Sequence, residues 1–238
     1  MTNVFHELLR VQDHDTAADQ LRHRRQSLPE LDELSRVDGR LAEVSASLAE
    51  SATRRDGVVR RQQRLEQELG GIEAKIGDLE ARLYSGTVTV PRELQAMQGE
   101  LDALRRRRSA LEDDVLEAMT EREPLDQEVA ELERTGAALE GDRARLAAAV
   151  AEAQAALDAE LQRELDARTA AAAALPEDLS RLYEQLRARH GGVGAARLVN
   201  GRCGGCHLAL AATELDRLRR QPNDTLVRCE QCGRLLVR

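Results

Sequence analysis

Residues 84–91 read Tyr-Ser-Gly-Thr-Val-Thr-Val-Pro and lie between two long segments with helical patterns. Gly86 can take a left-handed backbone conformation without steric cost, and the β-branched residues after it disfavour a helix. Pro91 suits the first turn of a helix that begins there. The stretch therefore predicts the tip of a helical hairpin.

Apolar residues recur with a spacing of seven on both sides of this tip. The pattern spans residues 34–83 before the tip and residues 94–146 after it. In each segment two such registers run with an offset of three, as the a and d positions of a coiled coil require. We therefore expect the two segments to fold back on each other as a long antiparallel coiled-coil hairpin.

Polar residues break the predicted seam near its centre. Ser51, Arg55 and Gln62 occupy core positions of the first arm, and Arg122 lies opposite them. Long arginine stems still cover apolar surface, so this level fits either a register-fixing role or a partner groove or flexible point. The run Arg105–Arg108 invites a nucleic-acid interpretation. Consecutive helical residues point in different directions, however, and acidic residues surround them, which favours a solvated face.

Two Cys-x-x-Cys pairs towards the C-terminal end hold all four cysteines of the chain. Thiolates at this spacing can point into one turn, and a second pair completes four ligands for a tetrahedral metal ion. With every position taken by protein, such a zinc ion is structural and leaves no place for a substrate. We predict one structural Zn²⁺ per chain, with the ligands Cys203, Cys206, Cys229 and Cys232.

Short strand-prone segments flank the two pairs, at 195–199, 226–228 and 235–237. Strand, metal-binding turn and strand is the organisation of a zinc ribbon, and a helical turn capped by Thr213 would lie between the pairs. Three alternatives remain open. Four thiolates can also hold iron, the first pair alone resembles a redox pair, and His207 would be a spare ligand.

Composition supports a mainly α protein. Aromatic residues make up 1% of the chain and charged residues 33%, whereas a compact domain of this length normally buries more aromatic surface. Leucine, alanine and valine supply the apolar content, as in long helices and coiled coils. The expected fold is a long antiparallel coiled-coil hairpin followed by a small C-terminal zinc ribbon.

Proline and glycine residues divide the chain further. Pro29 predicts a bend near 27–29, because proline cannot continue the helical hydrogen-bond ladder, and residues 3–27 would then lie against 146–170. Pro176 begins another helix, which the two glycines at 191 and 192 end. The predicted domains are a coiled-coil hairpin over 1–170 with its tip at 84–91, a connecting helix over 171–190 and a C4 zinc ribbon over 191–238.

Charge is distributed unevenly along the chain. Residues 191–238 carry a net charge of +4 and the first 190 residues carry −12, within a total of −8. A mildly basic ribbon can contact phosphate, although this one lacks the aromatic faces that stack bases. Apolar groups at the tip are costly unless a partner covers them or they seal the hairpin. The predicted partner contacts are Tyr84, Val88, Arg197, Arg202, Arg228 and Arg234.

These parts resemble a known family. The tip from Leu83 to Pro91 and the closing Cys229-x-x-Cys232-Gly233-Arg234 are similar to those of bacterial coiled-coil proteins that end in a C4-type zinc ribbon, long catalogued as a family of unknown function. The resemblance covers nearly the whole chain. It implies a cytoplasmic regulator or chaperone that binds other proteins, among them transcription sigma factors and flagellar or secretion components, and sometimes RNA.

The sequence as a whole predicts a non-enzymatic, zinc-binding adaptor or chaperone-like regulator that binds protein partners through tip and ribbon. The alternative is a nucleic-acid- or ribosome-associated factor whose basic ribbon contacts RNA or DNA. No Ser-His-Asp set, phosphate loop or carboxylate pair suggests an enzyme or a small-molecule substrate. We see neither a secretory signal nor a membrane span. The Cys-x-x-Cys pairs suit a reducing compartment, so we expect a cytoplasmic protein without membrane contact.

Overall fold

Helices form most of the described chain. The structure is a computed structural model that describes residues 4–222 and 225–238. The chain divides into two compact units, one of residues 34–145 and one of residues 1–33 with 146–238. The elements in chain order are α1 (Val4–Gln26), α2 (Pro29–Tyr84), α3 (Pro91–Ala172), α4 (Glu177–Arg189), β1 (Ala195–Val199), β2 (Arg202–Cys203), α5 (Ala212–Arg220), β3 (Val227–Arg228) and β4 (Leu235–Val237).

In the unit 34–145, α2 and α3 form one antiparallel helical hairpin, which confirms the prediction. Ion pairs between the arms join Asp38 to Arg143 near one end and Glu80 to Arg105 near the other. Surface pairs of this kind contribute little stability, so the apolar seam holds the arms together. The buried residues nearest the tip form an apical cluster of Ile76, Leu79, Met97 and Leu101.

The arginine run 105–108 is largely engaged within the hairpin. Arg105 and Arg107 pair with acidic residues of α2, each at 2.6 Å. Arg108 pairs with Glu112 of its own helix at 3.2 Å. Because the hairpin's own carboxylates neutralise these charges, the run is a solvated, ion-paired face rather than a free basic patch.

Polar side chains occupy the middle of the seam. Ser51 is buried, and its hydroxyl donates a hydrogen bond to Glu128 across the hairpin at 2.8 Å. The Arg122 guanidinium pairs with Asp126 of its own helix at 2.9 Å. Pro124 lies inside α3 and removes one helical N–H donor. At this level a buried hydrogen bond therefore takes over part of the role that apolar contacts have elsewhere in the seam.

Two adjacent glycines, Gly70 and Gly71, lie inside α2, and a Cβ added at either would meet no heavy atom within 4 Å. Each Gly→Ala substitution should raise the free energy of unfolding by about 1 kcal/mol, the difference in helix propensity. Gly194→Ala should instead lower the free energy of unfolding, because its Cβ would lie 2.8 Å from the Tyr183 carbonyl oxygen. Urea titration followed by circular dichroism measures all three variants. A neutral Gly71→Ala or a stabilising Gly194→Ala would contradict the prediction.

In the other unit, α1 lies against the last part of α3. An ion pair joins Arg25 to Asp158 at 2.7 Å, and a hydrogen bond joins His14 to Glu164 at 2.7 Å. Over the described residues this confirms that 3–27 lies against 146–170, and α1 ends where the bend was predicted. The core of this unit also takes in α4 and the sheet, with Leu8, Val11, Ala171, Leu175, Tyr183, Leu186, Ala195 and Leu235 as its buried members.

The strands form a four-stranded sheet in the order β2-β1-β4-β3. β1 and β4 are parallel, with Ala195 opposite Leu235. β2 pairs antiparallel with β1, and β3 pairs antiparallel with β4. The strands predicted at 195–199 and 235–237 are confirmed, and the one predicted at 226–228 begins a residue later. The pairing of β1 with β4 joins the β2-β1 half of the sheet, which carries the first cysteine pair, to the β4-β3 half, which carries the second.

Helix α5 lies between the two cysteine pairs, and its predicted cap is wrong. The helix begins at Ala212, its N-cap residue Ala211 makes no side-chain hydrogen bond, and Thr213 lies inside the first turn. At the other end, the Arg238 guanidinium donates to the carbonyl oxygens of Leu218 and Gln221. A cation at a helix C-terminus also complements the helix dipole, so the last residue of the chain fixes this helix to the sheet.

Candidate metal centre and contact surfaces

Each cysteine pair is held in a tight turn closed by a backbone hydrogen bond. The His207 N–H donates to the Cys203 carbonyl oxygen at 2.8 Å, and the Gly233 N–H donates to the Cys229 carbonyl oxygen at 2.7 Å. The residue after each second cysteine is left-handed, with φ of 62° at His207 and 75° at Gly233. Glycine adopts this conformation freely, whereas histidine does so at a cost. The two turns therefore have the same geometry although their sequences differ.

The four cysteine sulfurs converge on one point. All four Sγ atoms lie within 4.8 Å of one another. The Sγ atoms of Cys203 and Cys232 are 3.9 Å apart, as are those of Cys206 and Cys229. Four thiolates bound tetrahedrally at Zn–S distances of about 2.3 Å would lie about 3.8 Å from one another. The residues present therefore fit a C4 metal site, and no fifth side chain is needed to complete it.

Burial shapes the acidity of these thiols. Burial raises the pKa of Cys203, and it raises the pKa of Cys229 to about 12. Burial acts in the same direction on Cys232, but hydrogen bonds from Arg234 and neighbouring thiols outweigh it and lower its pKa to about 7. Buried thiolates are costly without a positive charge beside them. A bound metal cation supplies that charge and displaces the protons, so the chemistry of the donor set matches the geometry.

Arg234 was predicted as a partner contact, and the structure places it beneath the metal centre. Its guanidinium donates to the carbonyl oxygens of Val193 at 2.9 Å and His190 at 3.0 Å. A Cβ on Gly205 would lie 2.6 Å from Arg234 Cδ, so the first cysteine turn rests directly on this side chain. Arg234 thus links both cysteine turns to the loop that follows α4.

The other predicted arginines are distributed over three strands of the sheet. Arg197 pairs with Asp13 of α1 at 2.8 Å. Arg202 lies on the edge strand β2, and among the described residues its side chain reaches only the His207 carbonyl oxygen, at 3.5 Å. Arg228 lies on the opposite edge strand, is exposed, and makes no side-chain ion pair or hydrogen bond with the residues that the structure describes. Arg197 and Arg202 therefore lie on paired strands, and Arg228 is separated from Arg202 by the width of the sheet.

The two predicted tip residues have different surroundings. Val88 is half-buried and packs against the apical cluster. Tyr84 is 78% exposed, so its ring projects from the end of the hairpin unit. Val88 thus seals the hairpin, as one interpretation of the sequence proposed, whereas Tyr84 contributes surface that the fold does not require.

Sequence interpretation missed a buried polar network in the second unit. Tyr183 donates to Asp15 at 2.7 Å, and burial raises the pKa of Tyr183. Arg168 and Arg187 pair with the same carboxylate at 3.2 and 3.3 Å. Gln12 joins this network to the sheet. The available signal was the helical spacing of Gln12 and Asp15 among apolar residues of α1, which places polar groups on a buried face.

Comparison with known families agrees with this architecture. The model of the CT398-like coiled coil hairpin domain matches residues 11–191. The chain belongs to this family. The model of the C4-type zinc ribbon domain matches residues 202–236, which include all four cysteines. Membership of the CT398-like hairpin family therefore accounts for the hairpin, and the second match accounts for the metal centre.

Relatives of the CT398-like hairpin chain come from several bacteria. The uncharacterized protein Rv2229c of Mycobacterium tuberculosis is 36% identical over 193 residues, which are 81% of this chain and 77% of that protein. A structure from Mycobacterium smegmatis has a TM-score of 0.89 at 28% identity, over 98% of this chain and 96% of that one. CT398 of Chlamydia trachomatis has a TM-score of 0.70 at 21% identity, over 98% and 97% of the two chains, and supports the fold alone.

Among the described residues, no helix combines the length and the apolar character needed to cross a bilayer. The long helices α2 and α3 carry charged residues throughout.

Proposed function

We propose that the chain is a non-enzymatic adaptor that binds protein partners through the hairpin tip and the zinc ribbon. The observation that carries this proposal is Tyr84, an aromatic side chain that is 78% exposed at a place where the fold needs only a turn. Aromatic anchors of this kind are enriched in protein–protein contacts. The metal centre supports a non-enzymatic role, because its four protein ligands leave no open coordination position.

The metal in this proposal is zinc, one ion per chain, with a structural role. Four converging thiolates in a ribbon suit Zn²⁺, and elemental analysis of the purified protein measures both identity and stoichiometry. Iron, or less than half an equivalent of any metal in folded protein, would rule it out. Reduced thiols and a thiolate-bound metal suit a reducing compartment, and we place the chain in the cytoplasm.

Charge pairing in the ribbon favours protein over nucleic acid as the partner. Ion pairs join Arg197 to Asp13, and they join Arg217 and Arg219 to acidic residues of the ribbon itself. Nucleic-acid binding depends on free cations that release counterions, and it weakens steeply as salt rises. Measuring partner binding across salt concentrations separates the two functions, since a steep loss would support the nucleic-acid alternative.

Tyr84→Ser should reduce partner capture while leaving the melting temperature of the protein unchanged. The exposed ring makes few contacts within the chain, so its removal costs little stability. Val88→Thr is the matched variant: it places a hydroxyl against the apical cluster and should lower stability by about 1 kcal/mol. A photo-crosslinking residue at Thr87 reports capture in cells, and calorimetry reports melting. Unchanged crosslinks in Tyr84→Ser would refute the tip contact.

A further inference from the structure

Leu116 and Met119 lie on the outside of α3, with 60% and 49% of their surfaces exposed. They follow the seam positions Val115 and Ala118 in sequence, so they do not hold the arms of the hairpin together. They are separated by about one helical turn and therefore share a face. Exposed leucine and methionine side chains grouped in this way mark interaction surfaces on soluble proteins.

These two side chains line a groove of about 660 Å³ in the hairpin unit. The groove follows α3 from Leu116 to Ala130 and is bounded on α2 by Gln62. The fourteen residue steps from Leu116 to Ala130 span about 21 Å along the axis of α3. A helix of about fifteen residues would fill this length. The groove is therefore of the right size for a helix laid alongside the hairpin, with apolar anchors at intervals of three and four residues.

The surroundings of the groove are acidic. Within it, Asp126 neutralises Arg122 at 2.9 Å, which leaves Glu123 without an ion pair among the described residues. On α2, Glu66 accepts a hydrogen bond from Gln62 and has no cation beside it in the described structure. Glu133 follows Ala130 by one turn of α3 and makes no ion pair within 4 Å there, although Arg55 is close enough to interact with its charge and with that of Asp126. An apolar floor with a negative rim favours an occupant that carries the opposite charge.

This charge decides between the available occupants. A second copy seated on the same groove would bring acidic rim against acidic rim, and like charges across an interface are costly. Nucleic acid and anionic membranes are repelled for the same reason. We propose that the groove binds an amphipathic helix of a partner protein, with leucine-like side chains on one face and lysine or arginine on its flanks. This adds a third contact surface to the proposed adaptor and depends on neither Tyr84 nor the metal.

Methyl NMR of the intact, metal-loaded protein tests the proposal, because its methionine methyl groups lie in different parts of the hairpin and give separate signals. Met119 lies in the groove, whereas Met97 is buried in the apical cluster and serves as the internal reference. The probe is a synthetic helical peptide of about fifteen residues with leucine at every third or fourth position and lysine between. We expect saturable shifts of the Met119 signal and a constant Met97 signal.

Two matched controls separate a built groove from general electrostatic attraction. The same peptide with serine in place of leucine should leave Met119 unshifted. Leu116→Ser should weaken peptide binding by about tenfold or more, the loss expected when a leucine no longer becomes buried. Val90→Ser removes an exposed apolar side chain outside the groove and should leave binding unchanged. An absent Met119 shift, an equal shift with the serine peptide, or equal affinity in Leu116→Ser would each overturn the proposal.

Because Leu116 is exposed, its replacement should not affect folding, and circular dichroism of the variant checks this. The adaptor proposal and the groove fail in different ways. The crosslinks of Tyr84→Ser bear only on the tip contact. The peptide affinity of Leu116→Ser bears only on the groove.

Discussion

Replacing Cys229 by serine should unfold the zinc ribbon while the hairpin unit of residues 34–145 stays helical. The ribbon core is small, and two of its buried members, Cys203 and Cys229, are themselves candidate metal ligands. Structural zinc sites contribute about 10–16 kcal/mol of apparent binding free energy. Losing one ligand lowers that free energy, because Cys229 is fully buried and a serine hydroxyl there binds zinc poorly.

Gln231→Ser is the matched control, because Gln231 lies in the same cysteine turn but its side chain is exposed and is not a ligand. Amide exchange resolved by mass spectrometry should show the strands β1 and β4 unprotected in Cys229→Ser and protected in Gln231→Ser. Peptides from the hairpin should exchange alike in both variants, since the apical cluster is independent of the metal. A protected sheet in metal-free Cys229→Ser would show that the metal does not stabilise this domain.

Local signals allowed the hairpin to be predicted from sequence. Gly86 and Pro91 restrict the backbone conformation at their own positions. The heptad pattern repeats often enough that the apolar face of each arm can be read from that arm alone. The cysteine spacing is local too, since each turn forms its hydrogen bond within a few residues. Such features need no knowledge of the tertiary structure, and all of them are present in the structure.

Features that depend on distant partners were not predictable in the same way. Arg234 looked like a free basic residue because its acceptors, two carbonyl oxygens after α4, lie more than forty positions earlier. Thr213 has the residue type of a helix cap, yet α5 begins one residue before it. In both cases the residue type is compatible with more than one structural role, and only the folded chain shows which role the side chain has.

The groove beside the middle of the hairpin was predictable in part. The sequence showed that Ser51 and Arg122 interrupt the seam, and it left open whether the interruption fixes the register or forms a groove. In the structure Ser51 bonds across the hairpin and Arg122 lines a groove, and whether the groove binds a partner stays a prediction. Periodicity identifies a position that departs from the pattern, but only the neighbouring side chains show what takes the place of the missing apolar contact.

Replacing Gln12 by alanine should destabilise the unit that contains the ribbon, although Gln12 is about 190 residues from the nearest metal ligand. Its side-chain oxygen accepts hydrogen bonds from the N–H groups of Gly194 at 2.7 Å and Ala195 at 3.1 Å. Its side-chain nitrogen donates to the Gly192 carbonyl oxygen at 3.1 Å. The side-chain amide of Gln12 therefore bonds to backbone groups on both sides of Val193, in the segment that leads into β1.

A buried donor left without an acceptor costs about 1–3 kcal/mol, and Gln12→Ala orphans two backbone N–H groups, so we expect a loss of about 2–6 kcal/mol. Gln20→Ala is the control, since Gln20 lies on the same helix and is exposed. Urea unfolding gives the free energies, and amide exchange at Gly194 and Ala195 gives the local effect. Equal stability in the two variants, or unchanged exchange at those amides, would show that α1 does not support the ribbon. A large, localised loss would instead mean that α1 supports the ribbon sheet independently of the candidate metal site.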